Sequence, residues 1–155
     1  MPEEMPVAYI GLGANLGDAR CTVQSAIQSI AALDGVQLTH QSALYGSAPV
    51  DAGGGDYVNA VVQVRTRLSA PALLQHLQAI EQAAGRERPY RNAPRTLDLD
   101  LLLYGQQHST DAQLTLPHPR MWARAFVLRP LADIAPSLVT AAQLQAVAEQ
   151  SIWKL

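Results

Sequence analysis

The sequence predicts an α+β domain whose main elements follow one another as β-α-β-β-α-β, with further helices toward the C-terminus. Two patterns support this prediction. Apolar and polar residues alternate in the candidate strands, whereas apolar residues recur every three or four positions in the candidate helices. This order is typical of the split βαβ arrangement, in which helices pack on one face of an antiparallel sheet.

The first half of the chain predicts a helix with one strand before it and one strand after it. Residues 7–13 (VAYIGLG) form a short apolar run that we interpret as a buried strand. Residues 20–33 carry apolar side chains at helical spacing, with Asp18 as the N-cap and Gly35 after the last turn. Residues 36–48 alternate over part of their length and predict one further strand.

The second half of the chain predicts a strand, a helix and another strand. Residues 57–68 (YVNAVVQVRTRL) alternate clearly and predict a strand. Residues 70–84 have helical spacing, with a proline in the first turn, where proline is tolerated. Residues 97–104 (LDLDLLLY) return to a strand.

Loops and short elements complete the predicted order. Three consecutive glycines predict a mobile loop at 49–56, and two prolines predict a loop at 86–96. Residues 105–119 are turn-like. One or two short helices are expected at 120–135, followed by a weaker helix at 141–150.

Composition and charge exclude several classes of protein. A length of 155 residues fits one domain, which we take as 1–155, and a net charge of −2 argues against binding nucleic acid through bulk charge. No apolar run approaches the roughly 18–20 residues that a membrane span needs, and from the acidic start MPEEMP we expect no signal peptide. Cys21 is the only cysteine, which suits a reducing compartment. We therefore expect a cytoplasmic protein.

Asp98 and Asp100 form the strongest local signal for chemistry. Their spacing places both carboxylates on one face of the predicted strand, about 7 Å apart at Cα. Oxygen ligands on one face suit Mg²⁺, and two such ions about 3.5–4 Å apart are one arrangement used in phosphoryl chemistry. The alternative is an exposed strand face with two solvated carboxylates, which is the commoner meaning of an isolated Asp-x-Asp pattern.

Arginines precede this strand at high density. Arg86, Arg88, Arg91 and Arg95 fall within ten positions, and their loop continues directly into the strand as RERPYRNAPRTLDLD. Guanidinium groups bind phosphate oxygens through two donors, so arginines beside Mg²⁺-binding carboxylates predict a polyphosphate site. The alternative is a set of Arg–Asp salt bridges without a ligand.

Other candidate residues are individually weaker signals. His118 lies between two prolines, where it could contact phosphate or transfer a proton, or could be a surface histidine in a rigid turn. Tyr57 and Asn59 share one strand face, which suits a stacking ring beside a hydrogen-bonding amide but equally a half-exposed sheet face. Trp122 and Phe126 are four apart in a helical stretch, a spacing that usually indicates core packing.

The glycines of GLGANLG match neither common nucleotide-binding pattern. The third glycine is one residue too late for the dinucleotide-binding fingerprint, and no P-loop sequence is present. We interpret these glycines as a tight turn that leaves the first strand.

Four motifs together resemble a known family. The segments GLGANLGD, DYVNAVVQV, IEQAAGRERPYRNAPRTLDLDLLLYG and LTLPHPRMWARAFVLRPLADIAP occur in this order. In sequence and spacing they are similar to the 6-hydroxymethyl-7,8-dihydropterin pyrophosphokinases of folate biosynthesis. The resemblance covers roughly residues 7–136, and RTLDLD followed by LPHPR is its most specific part.

The resemblance implies a ferredoxin-like α/β fold and the transfer of pyrophosphate from ATP to the hydroxymethyl group of the dihydropterin, with release of AMP. It implies ATP as co-substrate and two Mg²⁺ ions held by Asp98 and Asp100. It also implies that Arg86 and Arg95 act in catalysis together with the two aspartates. The residues that it assigns to ATP binding are Arg86, Arg88, Arg95, Thr115, His118, Arg124, Gln78, Glu81 and Leu101. The residues that it assigns to substrate binding are Ser47, Val50, Tyr57, Asn59, Asp98 and Phe126. The loops at 49–55 and 86–94 are expected to close over the substrates.

Three positions depart from the pattern of many members. Asn92-Ala93 replace an aromatic residue before the Pro-Arg pair, and Gln113 and Pro119 replace other residues near the ATP site. Two alternatives stay open: a catalytically inactive pterin- or nucleotide-binding relative with the same fold, and an ordinary kinase that moves only the γ-phosphate. The leaving nucleotide, AMP or ADP, separates the enzymes. We expect a monomer acting on small molecules.

Overall fold

The computed structural model describes residues 5–15, 18–48, 56–85 and 97–155. In chain order it contains β1 (Val7–Ala14), α1 (Ala19–Ala31), β2 (Val36–Gln41), β3 (Tyr45–Ser47), β4 (Tyr57–Thr66), α2 (Ala70–Ala84), β5 (Asp98–Tyr104), β6 (Ser109–Asp111), β7 (Leu114–Leu116), α3 (Ala125–Ile134), α4 (Ala141–Ala146) and β8 (Ile152–Lys154). Short 3-10 turns at Met121–Ala123 and Pro136–Leu138 flank α3.

The main sheet is antiparallel and has the strand order β5-β1-β4-β3-β8, with β2 also paired to β4. Strand β1 therefore lies between β4 and β5, which both come later in the chain. This topology confirms the predicted α+β class and its β-α-β-β-α-β order.

The sheet is covered on both faces. Helices α1 and α2 pack on one face over an aliphatic core, which includes Ile10, Val62 and Leu99 from β1, β4 and β5. Helix α3 packs on the other face over a second apolar cluster built around Val61 and Leu102. The alternation of the strands explains the pair of cores, because neighbouring residues such as Val61 and Val62 point to opposite faces.

The predicted single strand at 36–48 is wrong in detail, because it divides into β2 and β3. Ser42 causes the interruption: its backbone N–H donates to Val61 O (2.9 Å), and its Oγ accepts from Val61 N (3.0 Å). A side-chain oxygen thus replaces the carbonyl expected in a regular ladder, and the chain resumes pairing with β4 at Tyr45.

The start of the first helix follows the prediction, whereas its end comes at Ala31, two residues before the predicted end at 33. The Asp18 side chain accepts from Cys21 N, as an N-cap does, and Gly35 has the positive φ of 81° that favours glycine. The proline-containing loop at 86–96 lies outside the described residues, as does 49–55 of the glycine-rich loop. Among the described helices, none has the length and apolar character needed to cross a membrane.

Two predictions for the C-terminal half need correction. The turn-like stretch at 105–119 contains the hairpin of β6 and β7. The helix at 141–150 ends at Ala146, and the chain then adds β8 to the free edge of β3, pairing Ile152 with Ser47. Three residues are too few to show alternation, so this strand leaves no clear pattern in the sequence.

Candidate active site

A cavity of about 290 Å³ opens on the face of the sheet that α3 covers only in part. Its lining comes from four strands and from α3 with the residue before it: Gly11, Leu12, Gly13, Ser47, Ala48, Tyr57, Asn59, Ala60, Asp98, Asp100, Arg124, Phe126 and Val127. Seven residues predicted from the sequence therefore meet at one place.

Two glycines of β1 form the floor of this cavity. Gly13 is the cross-strand partner of both Asn59 and Asp98, and Gly11 is the partner of Asp100. Cross-strand partners point to the same face, so side chains at these positions would fill the space between the amide and the carboxylates. A Cβ at Gly13 would lie 3.2 Å from Asn59 Oδ1. The interpretation of these two glycines as a turn is wrong, because both lie within β1.

The carboxylates of Asp98 and Asp100 line the cavity, while Leu99 and Leu101 point into the core under α1 and α2. This is the alternation that the sequence predicts. Leu101 is only 3% exposed and its side chain does not line the cavity, so the structure does not bring that side chain to the other site residues.

The aspartate pair is the best candidate for binding a cation. Within the described ranges, no group of three or more His, Cys, Asp or Glu side chains could hold a metal ion. Two carboxylates suit Mg²⁺, which keeps several waters and takes phosphate oxygens in its remaining positions. The donor set therefore fits an ion that arrives with a phosphorylated ligand.

His118 lies beside this pair in a defined orientation. Its backbone N–H donates to Leu102 O (2.9 Å), and its Nδ1 accepts from the backbone N–H of Arg120 (3.2 Å). Because Nδ1 is an acceptor, the neutral ring carries its proton on Nε2, which lies 3.8 Å from Asp100 Oδ1.

The electrostatic surroundings favour this neutral ring. Burial lowers the pKa of His118 from its usual value, and the charges of Arg124 and Arg120 lower it further, while Asp100 acts in the opposite direction. His118 is therefore suited to donating a hydrogen bond from Nε2.

The opposite end of the cavity combines aromatic and amide groups. Asn59 is 2% exposed, and its Nδ2 donates to Ser47 Oγ (2.8 Å), which fixes the amide plane. Tyr57 lies two residues earlier on the same face of β4. Phe126 comes from the first turn of α3, and the guanidinium carbon of Arg124 lies 5.2 Å from the centre of its ring. This end suits a flat, polar ring system.

Three other predicted residues lie outside the cavity lining. Glu81 Oε2 accepts from Leu99 N (2.8 Å) and so anchors β5 between the two aspartates. Thr115 Oγ1 donates to Asp111 O (2.9 Å) in the small hairpin, and Gln78 is exposed on α2.

Val50, Arg86, Arg88 and Arg95 lie outside the described residues, as does the departure at Asn92-Ala93.

Sequence reasoning missed the glycine floor as part of the site. The signal was present, since glycines at positions 11 and 13 have the same two-residue spacing as the aspartates. It becomes meaningful only when β1 and β5 are known to pair in this register.

Fold and cavity together define a class: an α+β domain that binds a small ligand at one end of an antiparallel sheet, with paired carboxylates beside an aromatic and amide pocket. Residues 9–136 match the model of the 7,8-dihydro-6-hydroxymethylpterin-pyrophosphokinase (HPPK) family. The chain belongs to this family, which confirms the resemblance seen in the four motifs.

Individual relatives agree with the family assignment. The 2-amino-4-hydroxy-6-hydroxymethyldihydropteridine pyrophosphokinase of Synechocystis sp. is 45% identical over 138 residues, covering 89% of this chain and 71% of the relative. The enzyme of the same name from Pseudomonas aeruginosa is 46% identical over 133 residues, covering 84% of this chain and 81% of the relative.

Solved structures support the fold. A crystal structure of an HPPK-DHPS in complex with substrates superposes with a TM-score of 0.67 over 93% of this chain, at 13% identity. A wild-type Plasmodium falciparum HPPK-DHPS with pterin and p-hydroxybenzoate gives 0.66 over 88%. This chain spans 43% and 41% of the lengths of those two chains.

Proposed function

We propose that this protein transfers the pyrophosphoryl group of ATP to the hydroxymethyl oxygen of 6-hydroxymethyl-7,8-dihydropterin and releases AMP. The observation that carries the proposal is that Asp98 and Asp100 line the same cavity as Tyr57, Asn59 and Phe126. A metal–phosphate site and a site for a flat heterocycle thus share one space. The membership of the chain in the HPPK family supports the same reaction.

The pterin binds at the aromatic end. Tyr57 and Phe126, from β4 and α3, offer ring faces for stacking. The amide of Asn59, held by Ser47, hydrogen-bonds the donor and acceptor groups on the pterin edge. The family pattern assigns a further substrate contact to Val50. Asn59, Gly13 and Asp98 lie side by side on the neighbouring strands β4, β1 and β5. A pterin in this place therefore directs its hydroxymethyl group along the glycine floor toward Asp98.

The phosphates of ATP bind at the carboxylate end. Asp98 and Asp100 would hold two Mg²⁺ ions, which would supply charge neutralisation and polarise the phosphate oxygens. Arg124 adds a cation within the cavity, and His118 donates from Nε2. Arg86, Arg88 and Arg95 bind the remaining phosphate charge, as the family pattern implies.

ATP extends beyond the cavity in this proposal. Thr115, Gln78, Glu81 and Leu101, which the family pattern assigns to ATP, lie outside the cavity lining. Glu81 and Leu101 belong to α2 and β5, and Thr115 belongs to β7, which packs beside β5.

The reaction needs positioning and charge stabilisation more than a strong base. The hydroxymethyl oxygen attacks the β-phosphorus, the bond from that phosphorus to the α–β bridging oxygen breaks, and AMP leaves with the bridging oxygen. The hydroxyl proton passes to solvent or a phosphate oxygen, because a loose phosphoryl transition state places little demand on a protein base. Fixed cations in a narrow cavity stabilise the charge that develops on the transferred group.

In this proposal the protein acts as one domain and as a monomer. It works in the cytoplasm, where an exposed free thiol such as Cys21 stays reduced.

Nucleotide product analysis tests this proposal. The protein is incubated with ATP, Mg²⁺ and 6-hydroxymethyl-7,8-dihydropterin under reducing conditions, and AMP and ADP are quantified. AMP that appears only when both pterin and Mg²⁺ are present is the expected result. ADP would indicate a γ-phosphoryl kinase, and pterin binding without any nucleotide product would indicate an inactive binding protein.

A further inference from the structure

The C-terminal segment reaches the wall of the cavity through one side chain. Gln150 Nε2 donates to Ala123 O (2.8 Å), and Gln150 Oε1 accepts from Ala125 N (2.8 Å). The two partners fix the orientation of the amide, because a carbonyl only accepts and a backbone N–H only donates. These two hydrogen bonds hold the backbone on both sides of Arg124.

Arg124 is an unusual residue for its position. It is the N-cap of α3, and its side chain makes no capping hydrogen bond. A guanidinium has donors only, so it cannot accept from the free N–H groups of the first helical turn. Its positive charge also meets the positive end of the helix dipole, which is unfavourable. The helix therefore lacks the oxygen that Ser, Thr, Asp or Asn would supply at the N-cap.

Gln150 supplies this missing acceptor from 26 positions further along the chain, counting from Arg124 to Gln150. The bond to Ala125, which is 2% exposed, satisfies the first N–H of α3. The next side chain of the helix, Phe126, lines the cavity and lies close to the Arg124 guanidinium. Gln150 itself is outside the cavity lining.

We propose that Gln150 is a positioning residue: it fixes the start of α3 so that Arg124 and Phe126 face their ligands in the cavity. The inference rests on the proposed function for the identity of those ligands. It gives a role to the C-terminal segment, in which the sequence shows no motif. The strand β8 that follows supports the opposite wall in a similar way, since Ile152 pairs with Ser47.

A pair of substitutions tests the inference. Gln150→Met keeps the side-chain length and removes both the donor and the acceptor. Gln145→Met makes the same change at an exposed position of α4 and is the matched control. Gln150→Glu is the conservative variant, since it keeps an acceptor for Ala125 N–H and loses the donor to Ala123.

We expect Gln150→Met to raise the KM for both ATP and the pterin by at least about fivefold, which is the effect on an equilibrium of losing one of the two hydrogen bonds. Hydrogen exchange at Ala125 N–H should accelerate by a similar factor, and kcat should fall by less than the KM rises, because Gln150 acts on the transferred group only through Arg124. Gln150→Glu should restore slow exchange at Ala125 and part of the loss in KM. Gln145→Met should match the wild type in all readouts.

Wild-type KM values in Gln150→Met would overturn the inference, as would equal increases in Gln145→Met. Failure of the proposed function gives a different result, namely no AMP from the wild-type protein. In that case the test uses the hydrogen-exchange rate of Ala125 N–H and the NMR resonance of Arg124 Nε. Changes in both that occur in Gln150→Met and not in Gln145→Met would support the positioning role. Values equal to those of the wild type in Gln150→Met would overturn it.

Discussion

The two faces of the sheet differ sharply where β1, β4 and β5 run side by side. Toward α1 and α2, β1 contributes Ala8, Ile10, Leu12 and Ala14, all buried in one aliphatic core. Toward the cavity, the same strand contributes Gly11 and Gly13, beside Asp98 and Asp100 of β5 and Asn59 of β4. Alternating residues of β1 thus contribute to a continuous aliphatic core on one face and to the candidate site on the other.

Charge removal at the cavity tests this division with the largest expected effect. Asp98→Asn should lower kcat/KM by on the order of 10³-fold, because it removes a charge that stabilises the metal and the phosphates. The free energy of unfolding should change little. Enzyme assays and urea denaturation of the same sample measure both quantities.

Asp34→Asn is the matched control, since Asp34 is exposed in the turn after α1, away from the cavity. Its kcat/KM should equal that of the wild type. Near-normal turnover in Asp98→Asn would contradict the metal site.

A core substitution on the α1/α2 face should give the opposite result. Leu73 of α2 is fully buried in the aliphatic core, and Leu73→Ala should cost about 2–5 kcal/mol of unfolding free energy. The KM values of the folded protein should stay the same. Leu138→Ala, at a leucine that is 37% exposed, should change stability by less than about 0.5 kcal/mol. Altered KM values in Leu73→Ala would show that the two faces are not separable.

Within the cavity, binding at the aromatic end and binding at the phosphate end can be tested independently. Tyr57→Ala should weaken pterin binding by roughly tenfold or more through lost stacking and burial, with little effect on ATP. Fluorescence titration with the pterin and a separate ATP titration measure the two constants. Tyr57→Phe keeps the ring and should bind the pterin almost normally. Equal weakening of both ligands in Tyr57→Ala would count against a stacking role.

The smallest expected effect concerns Tyr45, which is buried on the face covered by α3. Its hydroxyl donates to both carboxylate oxygens of Asp133 at 2.8 Å, and burial, followed by this hydrogen bond, raises the pKa of Tyr45 to about 12. A raised folded-state pKa favours the neutral phenol, so this contribution to stability is complete below the usual pKa of about 10 and is lost as the pH rises toward 12.

Urea denaturation across this pH range tests the contribution of Tyr45. The wild-type protein should lose on the order of 1 kcal/mol more between pH 10 and 12 than Tyr45→Phe does. Parallel pH profiles for the two proteins would contradict the assignment.

The sequence predicts the structural features that depend on neighbouring residues, but it does not predict those that depend on contacts between distant parts of the chain. The opposite orientations of Asp98 and Leu99, and the shared face of Tyr57 and Asn59, depend only on strand alternation and are predicted correctly. The break at Ser42 could not be predicted, because it depends on hydrogen bonds with Val61 on another strand.

The missed parts of the candidate site have the same cause. Gly13 has meaning for the cavity only through its pairing with Asn59 and Asp98. Gln150 acts on a helix that begins 25 residues earlier, at Ala125, and no local pattern links the two. The four-motif resemblance supplied most of the candidate site residues instead, because it summarises long-range contacts that composition and spacing do not contain.

The most direct test of the whole account is to locate ligand binding by NMR in the ¹⁵N-labelled protein. The pterin is added together with Mg²⁺ and an ATP analogue whose α–β bridge is a methylene group, so that no transfer occurs. We predict amide shifts at Gly11–Gly13, Asn59, Asp98–Asp100 and the start of α3, with no change at Cys21 and Ser25 on the α1 side of the groove between α1 and α2. Shifts concentrated in that groove, with an unperturbed glycine floor, would contradict the account.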